Sequence, residues 1–338
     1  MPLGTAHTTI TTAAVFIPEL WSDEVAATYK MNLVVANHVT KLNHKGKRGD
    51  VVHIPVPTRG VASIKAAETQ VTLQAATDGE KTITINKHYE YSKLIEDITA
   101  VQALASMRQF YTNDAGYALA TRVDRELHLL GAALQGGVIG TAATNYGTAV
   151  IGGDGSTLFG SENGTALTDL GLRTMIQKLD DQDVPLTERC IIIPPVEKKN
   201  LTGLSRFTEQ AFVGEAGAGN TIRNGLVGDV YGHKIYVSTN CPWVHTDDGQ
   251  DEAYVTFSSA NPTGTDELGT TVAQASPGDK FRAGMLIHRS ALALVEQLGV
   301  TSLSQYKQEY LSWLYTGHTI FGVGEIRDYA GIAFIVPA

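Results

Sequence analysis

Two cysteines, Cys190 and Cys241, are all the sequence contains, too few for a disulfide framework and in keeping with a reducing compartment. No apolar run reaches the ~18 residues that a membrane-spanning helix needs, so no membrane partner is expected. The opening stretch MPLGTAHTTITTAAVF lacks a basic start followed by an apolar block, and the expectation is a chain without a secretion signal. Charge is sparse and leans one way. There are 26 Lys+Arg against 35 Asp+Glu, a net −9 over 338 residues, which argues against nucleic-acid binding by bulk positive charge. Glycine is plentiful at 34 residues but not periodic, which excludes a collagen-like chain and implies many turns. Disorder throughout is excluded too, because 43% of residues are hydrophobic.

Recognised catalytic motifs are also missing. There is no H-E-x-x-H and no G-x-S-x-G elbow. Gly46-Lys47-Arg48 lacks the upstream glycine and following hydroxyl of a phosphate-binding loop, and Gly217-Ala218-Gly219 ends on Ile222 where a dinucleotide loop needs glycine. The ten histidines are scattered without ligand spacing. Asp180, Asp181 and Asp183 crowd one turn and could meet a cation, although a solvated helix end is the commoner outcome. Cys190 sits in an apolar run and reads as a buried, inert thiol. The expectation is no catalytic residue, no metal and no cofactor.

What is present reads as an α+β chain with projecting parts. Residues 1–20 are Thr/Ala-rich and read as an extended arm, followed by a short helix within 19–42 that carries Leu20, Trp21, Val25 and Tyr29 at helical spacing. Val51-Val52-His53-Ile54 and Thr82-Ile83-Thr84-Ile85 read as two strands of a long ribbon with little bulk between them. A lone two-stranded ribbon is marginal in water, and no local core for it is evident, so a neighbouring subunit is a candidate support. From residue 92 to 134 apolar residues recur every three or four positions (Leu94, Ile98, Val101, Leu104, Tyr111, Ala115, Leu119, Val123, Leu127, Leu130, Leu134), the stripe of one long helix. Residues 135–167 read as a flexible connection. Thr168 opens another helix, Arg189–Pro194 is a buried strand, 196–204 a helix, 211–220 a glycine loop, and 229–237 a hairpin turning at Gly232. One strand is expected at 253–257, and three more at 284–295, 306–316 and 331–336.

Five stretches, in this order along the chain, resemble the major capsid proteins of tailed bacteriophages with the HK97-like fold, nearest to the short-tailed (podovirus-type) branch. They are Gly46-Lys47-Arg48-Gly49-Asp50-Val51-Val52-His53-Ile54-Pro55; the long helix after Glu90-Tyr91-Ser92; Val184-Pro185-Leu186-Thr187-Glu188-Arg189 with its strand; Gly228-Asp229-Val230-Tyr231-Gly232-His233-Lys234-Ile235-Tyr236-Val237-Ser238; and Ile287-His288-Arg289-Ser290-Ala291 with Gly317-His318 and Arg327-Asp328-Tyr329-Ala330-Gly331-Ile332-Ala333-Phe334.

The resemblance implies an N-terminal arm with its short helix (1–45), an extended loop (46–91), a spine helix and connection of a peripheral domain (92–164), an axial domain (165–280) and C-terminal strands returning to the peripheral domain (281–338). It implies self-assembly as hexamers and pentamers into an icosahedral shell enclosing double-stranded DNA without sequence-specific binding. Assembly in the host cytoplasm would run through a precursor with a scaffolding protein and a portal, which then expands; a decoration or cement protein is a further partner the family uses. Lys47, Arg48, Asp50, Glu80 and Lys81, at the ends of the ribbon, are the candidate inter-subunit contacts. Three alternatives stay open on the sequence: an encapsulin-like nanocompartment shell of the same fold, a homo-oligomeric α/β enzyme using the 180–240 region, and another virion part such as a tail component.

Overall fold

The computed structural model describes residues 34–45, 48–56, 79–96, 107–134, 151–156, 164–203, 229–246, 255–258 and 281–338, with isolated positions between 60 and 73. The expected arm and most of the first helix lie outside the described residues, as do the glycine loop 211–220 and most of the ribbon's far end. Where the end of that helix was expected, the chain makes one 3-10 turn at Val35–Asn37 and then strand β1 (Thr40–Asn43). β1 runs parallel to a distant strand and matches Thr40 with Ala293 and Asn43 with Glu296. The edge of a strand distant in sequence thus supplies the backbone partners of residues 40–43.

Strands β2 (Val51–Val56) and β3 (Gly79–Thr84) pair antiparallel from Val51↔Thr84 to Val56↔Gly79, as the alternation of the sequence predicts. Strand β4 (Lys87–Glu96) follows after two residues. This corrects the expected helix start, since residues 92–96 are extended, not helical. Their apolar residues fall by coincidence on the helical stripe. Helix α1 begins at Met107 and ends at Ala132, 26 residues or about 39 Å. From Ala115 onward the predicted stripe is the buried face: Ala115, Leu119, Val123 and Leu127 are all in the main core.

The expected connection contains a short strand, β5 (Ile151–Gly152), with both residues buried. Helix α2 (Asp169–Asp180) is capped by Thr168, whose hydroxyl accepts the Gly171 N–H at 3.0 Å. Next come β6 (Arg189–Ile193), α3 (Pro195–Thr202), β7 (Asp229–Val230), β8 (His233–Val237), β9 (Trp243–Thr246) and β10 (Val255–Ser258). The β7–β8 turn places Tyr231 at φ 52° and Gly232 at φ 81°, the pair of positive values that a two-residue hairpin of matching twist requires. The C-terminal strands are four, not three: β11 (Phe281–His288), β12 (Leu292–Lys307), β13 (Ser312–Glu325) and β14 (Gly331–Pro337). Two of the expected strands straddled the turns at 289–291 and 308–311, which carry neither glycine nor proline to mark the reversal.

Among the described residues these elements build two main layers. One sheet runs β1-β12-β13-β4, and an eight-stranded sheet runs β10-β9-β11-β6-β8-β7 with β14 and β5 joined beside β11. β6 lies between β11 (antiparallel) and β8 (parallel), which explains why all five of its residues are buried. Helix α1 packs against both sheets, and one cluster joins its Leu119, Val123 and Leu127 to Ile191, Leu286, Phe321 and Phe334.

Candidate functional site

The ribbon has a foundation in its own chain, which corrects the expectation that no local core exists for it. Ile83 and Ile85 are buried with Ala293 and Val295, and Val52 and Ile54 pack on their flank. The fit depends on two glycines of β13. A Cβ at Gly322 would lie 2.5 Å from the Thr84 carbonyl oxygen, and one at Gly324 would lie 2.5 Å from Ile83 Cγ1. The small residues leave a notch in which the base of β3 sits directly on the sheet.

Polar contacts border this seat. His53 Nδ1 lies 3.1 Å from Glu80 Oε2, and Lys81 Nζ lies 3.7 Å from Glu325 Oε1. Burial, then the Asp328 carboxylate, push the Glu325 carboxyl above its ordinary range. Of the candidate contacts, Glu80 and Lys81 thus meet partners within the chain. The Asp50 carbonyl accepts the Ile85 N–H at 2.7 Å, Arg48 stands at the foot of the ribbon, and Lys47 lies outside the described residues. Beyond the base the surroundings reverse: Ile64 is fully exposed, Leu73 is 91% exposed, and Val71 is exposed as well. A second exposed apolar group marks the tip of the β12–β13 hairpin, where Leu303, Tyr310 and Leu311 face solvent. Behind it the Tyr306 and Trp313 rings meet edge-on at 5.3 Å.

Helix α1 is fastened to β4 by a cluster around Glu126. That carboxylate accepts the Tyr89 hydroxyl at 2.7 Å and pairs with Lys87 at 3.1 Å and Arg122 at 3.2 Å, while the Arg122 guanidinium lies 4.8 Å from the centre of the Tyr89 ring. Further along, Tyr91 donates its hydroxyl to Asp114. Lys87, Tyr89 and Tyr91, expected at the end of the extended loop, thus belong to a strand that runs on through residues 92–96, where the helix was expected to begin.

Asp124, His128, Ser238 and Asn240 form a group that sequence reading missed. Asp124 and His128 are one helical turn apart and fully buried. His128 Nε2 lies 2.9 Å from Ser238 Oγ and 3.5 Å from Asp124 Oδ2. Aspartate, histidine and serine invite comparison with a nucleophilic triad, but the geometry differs. A triad places serine and aspartate on opposite ring nitrogens, whereas here both lie at Nε2, in a site closed to substrate. Burial pushes the Asp124 carboxyl up, yet hydrogen bonds from His128, Asn240 and the Val35 amide outweigh it and hold the group below its ordinary value.

An open cleft of about 430 Å³ lies between Asn37, His38, Leu186, Glu188, Lys234 and Arg289. Glu188 is paired to Arg289 at 3.0 Å, and burial followed by Lys234 and Lys41 lowers the pKa of His38. Cys190 lines the wall, with its thiol pushed up to about 12 by burial. The cleft therefore offers neither a thiolate nor an unpaired carboxylate. Asp180 does not wait for a cation, because it holds the buried Arg189 guanidinium at 2.7 Å. Among the described residues no three His, Cys, Asp or Glu side chains are grouped to hold a metal ion.

No protein-family model matches the chain, and no curated protein does. Solved structures do. A chain of Mycobacterium phage Che8 superposes with a TM-score of 0.61 at 20% identity, covering 89% of this chain and 90% of that one. The capsid structure of Cyanophage P-SCSP1u gives 0.60 at 17% identity, with 90% and 88% covered. The mature capsid of bacteriophage PhiM1 gives 0.61 at 14% identity, with 90% and 87% covered. At these identities the likeness is one of architecture: the mixed α+β chain has the fold of solved phage capsid subunits along almost its whole length.

Proposed function

We propose that this chain is the major capsid protein of a tailed bacteriophage of the short-tailed branch, a structural protein without catalysis. Copies assemble as hexamers and pentamers into an icosahedral shell that encloses double-stranded DNA. Assembly takes place in the host cytoplasm through a scaffolded precursor with a portal, which then expands, and the product is part of the virion. The domain layout follows the HK97-like pattern: arm 1–45, extended loop 46–91, spine helix and connection 92–164, axial domain 165–280, and C-terminal strands 281–338.

The observation that carries this reading is the fold shared with solved phage capsid chains over about nine-tenths of both partners. The ribbon supports it: a seated base continues into a segment whose Ile64, Val71 and Leu73 lie bare to solvent, and a neighbouring copy would bury them. Burying such side chains stabilises by about 1.5–3 kcal/mol each, whereas exposed ion pairs contribute under ~1 kcal/mol. Lys47, Arg48, Asp50, Glu80 and Lys81 would therefore set the register of the contact more than its strength. A net charge of −9 suits a container, because a strongly basic lining would pin the packaged DNA.

Sedimentation and negative-stain imaging of the expressed chain, with and without its genomic neighbours, test the proposal. The expected result is closed shells, DNA or portal in particles from infected cells, and a folded but unassembled protein when residues 60–77 are replaced by a short turn. Normal shells from that deletion would overturn the role of the ribbon. A small defined oligomer under every condition would overturn the capsid reading, and particles filled with a cargo enzyme would replace it with the nanocompartment.

A further inference from the structure

The Asp124 group joins three stretches that are far apart in sequence. Oδ1 of Asp124 accepts the Val35 N–H at 2.9 Å and the Val34 N–H at 3.3 Å. Oδ2 accepts a hydrogen from Asn240 Nδ2 at 2.8 Å. The Asn240 N–H in turn donates to Ser238 Oγ at 3.1 Å, the atom that also meets His128 Nε2. One carboxylate in the middle of α1 therefore caps the 35–37 turn and holds the turn after β8. Val35, Ala36 and Val39 are buried beside it. Both functions normally belong to local residues: a 3-10 or helical turn is usually capped by its own neighbour, and Val34 supplies no side-chain cap here. Burying a carboxylate is expensive unless its hydrogen bonds are satisfied, and an apolar side chain in its place would leave the Val34, Val35 and Asn240 N–H groups without this acceptor.

We infer that Asp124 is a positioning residue that fixes the 34–37 turn against α1 and the β8–β9 turn, and that assembly with neighbouring copies requires this turn to be held in place. The second half of this inference rests on the capsid reading; the first does not.

Amide hydrogen exchange of the soluble chain, together with imaging of its shells, separates the two halves. In Asp124→Leu the Val34 and Val35 amides lose their acceptor. They should exchange about tenfold faster or more, while the amides of β11 and β14 keep their protection and the melting transition stays cooperative. Asp124→Asn keeps an acceptor oxygen and should leave the 34–35 amides slow. Shells should be lost or irregular with Leu and retained with Asn. If Asp124→Leu does not fold, Asp124→Ala makes the same comparison. Wild-type exchange at 34–35 in the apolar variant, or equal loosening by Asn and Leu, would overturn the inference. Wild-type protein that forms no shells even with its genomic neighbours but shows the expected exchange pattern would remove the capsid reading and leave the anchoring role standing.

Discussion

Leu127 and Leu73 are the same side chain in opposite surroundings. Leu127 sits at 0% exposure in the middle of α1, against a core shared by both sheets, whereas Leu73 on the ribbon is 91% exposed. The body meets its own burial needs: Ile191, Ile192 and Ile193 of β6 and Phe334 of β14 are enclosed completely. Among the described residues the ribbon is enclosed where Ile83 and Ile85 reach the sheet. Among the described residues the core is thus built in the body, while the ribbon beyond its base, with Ile64, Val71 and Leu73, carries apolar side chains that no part of the chain covers. A chain that works alone would gain by making such a segment polar; one that works among copies gains by keeping it bare until assembly.

The largest effect expected from breaking this contrast lies in the body. Leu127→Ala should cost about 2–5 kcal/mol of folding stability, seen as a lower denaturation midpoint. Leu73→Ser should leave the midpoint of the unassembled chain unchanged within about 0.5 kcal/mol and should weaken shell formation. Equal effects of the two on the soluble chain would remove the distinction between the regions.

Gly322→Ala tests the seam where the two regions meet. Its new methyl would face the Thr84 carbonyl at 2.5 Å and Ile85 Cα at 3.1 Å, so backbone must move. A loss of about 1–3 kcal/mol is expected, together with faster exchange in β3 while β11 stays protected. Unchanged exchange in β3 would mean that the notch does not seat the ribbon.

The smallest effect concerns two buried carboxylates of the body. Burial raises the pKa of Glu197, against hydrogen bonds from the Leu167 amide and Asn200. A raised pKa means that the native state holds the proton more tightly, so the contribution is present below the ordinary value of 4.5 and is lost as pH rises through the native pKa. Asp124 has the opposite sign: its contribution is present above 3.8 and is lost as pH falls through its lowered native pKa. Glu197→Gln should therefore gain on wild type between pH 4 and 7, within about 1 kcal/mol, and Asp124→Asn should flatten the acid limb. Denaturant midpoints across that range and down to acid pH would check both; parallel wild-type and Glu197→Gln curves would count against the buried, ionising Glu197.

Local rules made several elements legible. Thr168 announced α2, the apolar run from Cys190 to Ile193 announced a strand covered on both faces, and Gly232 announced its turn. The stripe from Ala115 to Leu127 found the buried face of α1. Errors arose where non-local pairing decides. β4 carries Leu94 on a helical stripe, yet pairs with β13 along its full length from Lys87 to Glu96. β1 exists only because β12 offers an edge. The hairpin turns at 289–291 and 308–311 carry neither glycine nor proline to mark them. The Asp124 group left little trace, since the hydrogen bonds that tie Asp124 and His128 to Val35, Ser238 and Asn240 span 89 to 116 residues; a buried-face position occupied by aspartate, with histidine one turn later, was the available hint.

Composition and spacing by themselves determined that this is an acidic, cysteine-poor α+β chain with a ribbon, a long amphipathic helix and no recognised catalytic motif, because turn chemistry and side-chain period act over a few residues. Only the tertiary structure decided that the ribbon rests on a glycine notch, that residues 87–96 are strand, and that one carboxylate joins the chain's first described turn to α1 and the β8–β9 turn. Those features depend on which distant surfaces meet, and that is settled by the packing of whole sheets and not by any single stretch.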